Sequence, residues 1–293
     1  MSVETETAPE IARAKVNLWL NVVGRRDDGY HLLHSLVAFA DLGDTLEIAP
    51  AEDLSLVIDG LGAAVLSADT DNLVLKAAWL LAAESGVRAG AAFRLTKRIP
   101  MAAGLGGGSA DAAAALRGLD RLWRLDVPPA RLSALAARLG ADVPMCLHQR
   151  PCIASGVGEK LDPAPPLPGC GLLLVNPGIP LSTPEVFAAR RGDFSPVRPI
   201  DRPWTDLAGL VAALAIRGND LTDAAVARLP VVSEVLSALR RTSGVRYAAM
   251  SGSGATCFAL YDAVADAKRA ATDLPPPWWR HAGRLTPHPE EAA

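Results

Sequence analysis

The feature that most constrains the fold is a glycine-rich stretch, Gly-Leu-Gly-Gly-Gly at residues 104–108. Before it, residues 92–99 alternate apolar and polar side chains, which predicts a strand. After it, an Ala/Leu-rich run over residues 112–123 predicts a helix. Glycines let backbone N–H groups converge, and a helix N-terminus adds unsatisfied N–H groups and a positive dipole end. A strand, a glycine turn and a helix start therefore predict a phosphate-binding loop.

The stretch does not match three better-known glycine motifs. A Walker A loop needs the pair Lys-Ser or Lys-Thr after its last glycine, and no such pair follows Gly108. The dinucleotide pattern fails because Ser109 takes the place of its third glycine. The nucleophile-elbow pattern fails because Asp111 takes the place of its last glycine. A flexible linker is a weaker interpretation, since linkers are seldom bracketed by a strand pattern and a helix pattern.

Composition narrows the class of protein. The 293 residues suffice for two domains or one large one. A net charge of −3 predicts neither a nucleic-acid surface nor a polybasic membrane patch. The acidic start is unlike a signal peptide, and no uncharged apolar run reaches the length of a membrane span. The four cysteines lack metal-ligand spacing, so we expect buried thiols rather than disulfides, and a cytoplasmic protein.

The first predicted strand, residues 14–22, has a period of two. One face carries the apolar side chains Val16, Leu18, Leu20 and Val22, and the other carries Lys15, Asn17, Trp19 and Asn21. A polar face of this kind can be a solvated surface or the wall of a cleft. Taken alone, the pattern favours the solvated surface.

Turn-forming, capping and Pro-rich segments predict further strands, a helix and one domain boundary. Residues 36–40 and 45–48 read as two strands joined by a turn at residues 41–44. Asp71-Asn72 is placed to cap a helix that runs through Val74 to Glu84. A Pro-rich run over residues 163–169 predicts a domain boundary, which gives domains 1–165 and 166–293.

Several spaced motifs together resemble those of the GHMP kinase superfamily. The segment 100–109 resembles its second motif, and Ser-Gly-Ser-Gly-Ala at 251–255 resembles its third. Four further segments, 14–18, 24–31, 140–144 and 156–159, are similar to a narrower branch, as is Thr183-Pro184-x-x-Phe187. That branch phosphorylates 4-CDP-2-C-methyl-D-erythritol in the non-mevalonate (MEP) pathway of isoprenoid biosynthesis. The matches extend from about residue 12 to about residue 261, which is most of the chain.

The resemblance implies an α+β fold of two domains with the active site in the cleft between them. The N-terminal domain would bind ATP and resemble ribosomal protein S5 domain 2, and the C-terminal domain would be a ferredoxin-like α/β sandwich. It also implies that ATP with Mg²⁺ phosphorylates the 2-hydroxyl of 4-CDP-2-C-methyl-D-erythritol. We expect no nucleic-acid or membrane partner, and a monomer or weak homodimer.

The resemblance also assigns roles to individual residues. Asp142 would be the general base, with Lys15 as its electrostatic partner. Ser109 is also a candidate ligand of magnesium. The ATP-binding residues would be Asn72, Pro100, Met101, Ala102, Ala103, Gly104, Leu105, Gly106, Gly107, Gly108 and Ser109. The residues that bind the acceptor substrate would be Asn17, Tyr30, His31, Thr183 and Phe187.

Two other interpretations stay open on the sequence. The first is another small-molecule GHMP kinase, of the mevalonate or homoserine type, which would have no use for a cytosine clamp built from Tyr30, His31 and Phe187. The second is a nucleotide-binding regulator that does no chemistry, which the presence of both Lys15 and Asp142 disfavours. The chain departs from some relatives at Asp111, where they carry Asn.

Overall fold

The computed structural model of the chain describes residues 8–66, 68–69, 71–200 and 202–286. Contacts between Cα atoms divide the chain into two compact units. Within the described residues, unit 1 comprises 8–14, 43–99 and 106–148, and unit 2 comprises 15–42, 100–105 and 149–286. The single predicted domain boundary near residue 165 stays a prediction, since these units each combine several separate segments.

The described residues form ten strands and nine α-helices. The strands are β1 (Glu10–Arg25), β2 (His31–Ala51), β3 (Leu54–Gly60), β4 (Gly90–Lys97), β5 (Cys152–Gly156), β6 (Lys160–Pro163), β7 (Gly171–Asn176), β8 (Tyr247–Met250), β9 (Cys257–Tyr261) and β10 (Trp279–Arg284). The helices are α1 (Leu73–Ser85), α2 (Gly107–Leu122), α3 (Pro129–Leu139), α4 (Val143–His148), α5 (Thr183–Ala189), α6 (Leu207–Arg217), α7 (Thr222–Arg228), α8 (Val231–Arg241) and α9 (Val264–Thr272).

Unit 1 combines a small sheet with a group of helices. Strand β3 runs parallel to β4, and β4 runs antiparallel to residues 45–51 of β2. Phe93 and Leu95 alternate with exposed or half-buried residues along β4, as the sequence pattern predicts. Helices α1 to α4 pack on one another. The strand β4, the glycine loop and the helix α2 thus confirm the predicted strand, turn and helix.

Strand β2 corrects one prediction. Residues 41–44 do not form a turn, because β2 continues through them as one strand. Gly43 lies close to β1: a Cβ at that position would stand 3.0 Å from the carbonyl oxygen of Ala12. The Asp44 carboxylate is buried, and its Oδ1 accepts the backbone N–H of Ile99 at 2.8 Å. Residue types that usually make turns are used here for close strand packing and for a buried charge.

Unit 2 contains a second sheet, with strands in the order β10-β7-β9-β8, all antiparallel. Helices α8 and α9 pack against it. Also in unit 2, residues 33–37 of β2 pair with β5, and β5 pairs with β6. A buried apolar cluster includes Leu173 and Val175 of β7 together with Leu20 and Val22 of β1. The core of this unit therefore needs residues from both ends of the chain.

Strand β1 corrects a second prediction. Its polar face is not a solvated surface, because Lys15, Asn17 and Asn21 are 6%, 5% and 4% exposed and Trp19 is fully buried. Buried polar groups need hydrogen-bond partners. Asn21 Nδ2 finds them in the carbonyl of Arg217 at 2.8 Å and in the Asp220 carboxylate.

Two other predictions, the cap of α1 and the buried thiols, are confirmed. Asn72 caps α1, since its side chain accepts the N–H of Val74 at 2.9 Å. All four cysteines are free and buried. In the part of the chain that the structure describes, no helix is both long and apolar enough to span a bilayer.

Candidate active site

The glycine loop presents its backbone as the sequence predicts. Ala102, Gly104 and Gly106 have left-handed conformations, with φ of 47°, 73° and 66°. Gly106 is also the N-cap residue of α2, and it has no side chain to cap the helix. The first N–H groups of an α-helix lack partners within the helix. Those of Gly107, Gly108 and Ser109 are therefore placed to bind an anion.

In unit 2, the loop meets the second glycine turn, residues 251–254. Ser251 Oγ donates to the Gly104 carbonyl at 3.4 Å, and the Thr256 N–H donates to the Ala103 carbonyl at 3.3 Å. A Cβ on Gly104 would stand 2.6 Å from the Gly254 carbonyl oxygen, so no larger residue fits there. Close backbone packing explains why both segments are rich in glycine.

Lys15 and Asn17 of β1 join the same group. Lys15 Nζ donates to Asn17 Oδ1 at 2.7 Å, and the Lys15 N–H donates to the Leu105 carbonyl at 2.9 Å. The Asn17 N–H donates to Ser251 Oγ at 3.1 Å. Its Nδ2 donates to Ser35 Oγ at 2.8 Å. Hydrogen bonds thus fix the buried Lys15 ammonium group beside the glycine loop and the glycine turn.

Four of the five predicted acceptor-binding residues contact one another or the glycine turn, and Asn17 does so through its N–H to Ser251 Oγ. The rings of His31 and Phe187 are stacked, with centroids 5.3 Å apart and planes at 28°. Thr183, the first residue of α5, shares a hydrogen bond of 2.7 Å with Ser253. Tyr30 is not brought into this group: it is 65% exposed, and no ring of the described residues stacks on it.

His31 is biased toward its neutral form. Partial burial lowers the pKa of its imidazole, and the nearby charges of Arg25 and Arg190 lower the pKa further. Since the ordinary value is 6.5, His31 is neutral at pH 7. A neutral imidazole has one donor and one acceptor nitrogen, which suits the polar edge of a nucleobase.

Three other predicted residues, Asn72, Ser109 and Asp142, lie in unit 1. Asn72 caps α1, and Ser109 lies in the first turn of α2. Asp142 is partly buried and directly precedes α4, where its carbonyl accepts the N–H of Cys146 at 3.2 Å. Among the described residues, no group of three or more His, Cys, Asp and Glu side chains could hold a metal ion.

Unit 1 also contains a buried charge cluster that the sequence did not reveal. Lys97 pairs with both Asp44 and Asp111, at 2.6 Å to the Asp111 carboxylate. Burial alone would lower the pKa of Lys97, but Asp111 and Asp44 outweigh it and raise that pKa. Burial raises the pKa of Asp111 to about 7, although Lys97 counteracts the shift. No described group donates a hydrogen bond to Asp111 Oδ1.

Sequence reasoning found the third motif but assigned no role to its residues. Ser251 and Ser253 bond to Asn17 and Thr183, and Gly252 lies beside Lys15. Asn219 belongs to none of the motifs, although it also bonds to the glycine turn. The repeated Ser-Gly pattern at residues 251–254 is the sequence signal that identifies the turn. The hydrogen bonds from the distant Asn219 leave no pattern in the local sequence.

A cavity of about 580 Å³ lies elsewhere in unit 2, between α8 and the connection from α9 to β10. Its lining includes Arg241, Thr242 and Trp278 but none of the predicted site residues among those described. The candidate site is therefore identified by its converging polar groups and glycine turns, and not by this cavity.

Two family descriptions match the chain. Residues 72–150 match the GHMP kinases N terminal domain, and residues 205–275 match the GHMP kinases C terminal domain. The first match contains the glycine loop, α2 and Asp142, and the second contains the glycine turn at residues 251–254.

Individual relatives agree with these matches. A 4-diphosphocytidyl-2-C-methyl-D-erythritol kinase of Paramagnetospirillum magneticum is 57% identical, over 92% of this chain and 95% of the relative. A crystal structure of a 4-(cytidine 5'-diphospho)-2C-methyl-D-erythritol kinase is 38% identical, with a TM-score of 0.79 over 95% of this chain and 99% of that one. A homoserine kinase of Cytophaga hutchinsonii has a TM-score of 0.71 over 98% and 96% of the two chains, but 16% identity. That last likeness extends to the fold alone.

Proposed function

The chain belongs to the 4-diphosphocytidyl-2-C-methyl-D-erythritol kinase family of GHMP kinases, and we propose that it phosphorylates the 2-hydroxyl of 4-CDP-2-C-methyl-D-erythritol with ATP. The products are the 2-phosphate and ADP. The observation that carries the proposal is the buried Lys15 ammonium, which Asn17 holds at 2.7 Å beside the glycine turns. A fixed, desolvated cation is well suited to stabilise charge on a transferred phosphoryl group.

The ATP phosphates bind the glycine loop and the first turn of α2. Left-handed Gly104 and Gly106 and the N–H groups of the first turn of α2, residues 107–109, support this assignment. When bound with ATP, Mg²⁺ would supply positive charge that offsets the charge of the phosphates. Ser109 is the residue we assign to it, and a single hydroxyl fits an ion that draws most of its ligands from phosphate and water. Asn72 lies near the adenine in this proposal.

The chemical step is an in-line displacement at the γ-phosphorus. A bond forms between the 2-hydroxyl oxygen and phosphorus while the bond to the bridging oxygen of ADP breaks. Asp142 accepts the hydroxyl proton, because a tertiary alcohol is a poor nucleophile and a positioned carboxylate lowers the barrier to its attack. Lys15 offsets the charge that develops on the phosphoryl oxygens.

The cytidine end of the acceptor binds near His31 and Phe187. Stacking on an aromatic ring stabilises a pyrimidine, and neutral His31 offers a donor and an acceptor to its edge. Tyr30 covers the base from solvent. Its ring is exposed and is therefore free to stack on the base. Asn17 and Thr183 contact the methylerythritol part.

ADP release with three candidate acceptors tests the substrate. With Mg-ATP present, we expect release with 4-CDP-2-C-methyl-D-erythritol and none above background with mevalonate or homoserine. Release with mevalonate or homoserine, but not with the cytidine compound, would overturn the proposal.

Asp142→Asn tests the base. General-base catalysis contributes about 10²–10⁴-fold, so we expect kcat to fall by about that factor with KM nearly unchanged. Asp59→Asn is the matched control, because Asp59 is an exposed carboxylate on β3 that pairs with Arg94. A near-normal kcat in the Asp142 variant would remove this residue from the base role.

A further inference from the structure

A side chain outside the proposed site holds the glycine turn of unit 2. Asn219 Nδ2 donates to the Met250 carbonyl and to the Gly252 carbonyl, each at 2.8 Å. Its Oδ1 accepts the N–H of Leu221 at 2.9 Å. A carboxamide has two N–H donors and one carbonyl oxygen, so every polar atom of this side chain is engaged.

The backbone around Asn219 is also tied to β1. The Leu20 N–H donates to the Gly218 carbonyl at 3.1 Å, and the Asp220 N–H donates to the Leu20 carbonyl at 2.9 Å. The Asp220 carboxylate accepts the Val22 N–H at 2.7 Å. Residues 218–220 are thereby fixed on the same strand that carries Lys15 and Asn17.

The peptide that Asn219 holds lies directly against the proposed catalytic lysine. A Cβ on Gly252 would stand 3.1 Å from the Gly104 carbonyl oxygen and 3.2 Å from Asn17 Oδ1. The same Cβ would stand 3.6 Å from Lys15 Nζ. Since a misplacement of about 1 Å can cost about 10²-fold in rate, a small shift of Gly252 would disturb the Lys15–Asn17 pair.

We propose that Asn219 is a positioning residue for phosphoryl transfer, which fixes the 251–254 turn against Lys15 and Gly104 without touching the reacting atoms. The proposal rests on the function proposed above for Lys15. Only an amide meets the geometry: Asp would place a carboxylate oxygen beside two carbonyl oxygens, Ser would supply one donor, and Ala would supply none.

Asn219→Asp and Asn219→Ala test the proposal, with Asn21→Ala as the matched control. Asn21 also donates from one Nδ2 to two acceptors, the Arg217 carbonyl and Asp220, in the same region of unit 2. Neither of these acceptors belongs to the 251–254 turn. All variants would be compared by thermal unfolding, kcat and KM at saturating Mg-ATP.

In both Asn219 variants we expect kcat to fall by about tenfold or more while KM for the acceptor changes by less than about threefold. The Asn219→Asp variant should lose at least as much as Asn219→Ala, although its shape is nearly unchanged. Asn21→Ala should lose stability but keep its kcat within about twofold. That contrast separates positioning from folding.

Three outcomes would overturn the proposal. They are a normal kcat in Asn219→Asp, an equal loss of kcat in Asn21→Ala, or global unfolding of both Asn219 variants, which would give Asn219 a folding role. An inactive wild-type protein would instead refute the proposed function, so the two failures are distinguishable.

Discussion

Replacing Gly104 with alanine should destabilise the protein and slow its turnover. The position has φ of +73°, where a non-glycine residue costs about 1–2 kcal/mol. The new Cβ would also stand 2.6 Å from the Gly254 carbonyl oxygen and 2.8 Å from that of Ser251. Both are backbone atoms, so the glycine turn would have to move as a whole.

The magnitude follows from three contributions. Overpacking of this kind costs about 1–3 kcal/mol in addition to the backbone strain. Alanine restricts the unfolded chain, which offsets about 0.4–1 kcal/mol. We therefore expect the free energy of unfolding to fall by about 2–4 kcal/mol.

Gly86→Ala is the matched control. Gly86 ends α1 with φ of 68°, close to that of Gly104, and apart from its chain neighbours and the helix's own backbone no described atom lies within 4 Å of the position that the new methyl group would take. The substitution imposes the left-handed strain without the clash, so we expect a loss of about 1 kcal/mol at most. The difference between the two variants isolates the cost of the close approach.

Thermal unfolding and steady-state kinetics measure the two effects. The overpacking cost of about 1–3 kcal/mol separates the two variants, and one kcal/mol corresponds to about 2–4 °C in a large chain, so Gly104→Ala should melt about 2–12 °C below Gly86→Ala. Its kcat should also fall, whereas Gly86→Ala should keep its kcat. The reasoning is refuted if Gly104→Ala melts at or above the temperature of Gly86→Ala.

Three further predictions concern pH, thiol reactivity and the acceptor site. Because the pKa of Asp111 is raised from 3.8 to about 7, its stabilising contribution is full below pH 4 and is lost as the pH rises through 7. Urea unfolding at pH 5 and pH 8 should therefore show Asp111→Asn gaining stability relative to wild type at the higher pH; parallel curves would contradict this. Burial raises the pKa of Cys170 to about 12, so a disulfide reagent at pH 8 should label the native thiols slowly and all four after denaturation. Rapid native labelling would contradict their burial. Tyr30→Ala should raise KM for the cytidine substrate without altering the melting temperature, because the ring is 65% exposed; an unchanged KM would remove Tyr30 from the cytosine site.

Local patterns predicted the elements whose cause is local. The strand β4, the glycine loop and α2 follow from apolar alternation, left-handed glycines and an alanine-rich run. The sequence predicts a helix cap at Asp71-Asn72, because capping depends on residues two or three positions apart, and Asn72 forms it. The motif resemblance predicts that Lys15, Asn17 and Gly104 belong to one active site. In the structure, Ser251 bonds to both Asn17 and Gly104.

The two wrong predictions, for residues 41–44 and for the polar face of β1, both fail because of contacts with residues distant in sequence. Residues 41–44 have turn composition, but Asp44 serves the distant Lys97 and the backbone of Ile99. The polar face of β1 has surface composition, but the buried Asn17 and Asn21 bond to the buried Ser35 and the half-buried Asp220. Tertiary partners outweighed local preference in both segments, and no pattern along the chain encodes such partners.

Each compact unit is built from several separate segments of the chain, which limits where the chain can be cut into fragments that fold. Unit 2 draws residues 15–42 and 100–105 from the first half of the chain, and unit 1 draws residues from both sides of them. A fragment that begins at residue 149 would lack Leu20 and Val22, and so it would expose part of the apolar cluster around Leu173. Truncation, split-protein reassembly or exchange of one half between relatives would therefore have to transfer several separate segments together. The sequence motifs are short and separate, but no single cut of the chain separates the two units.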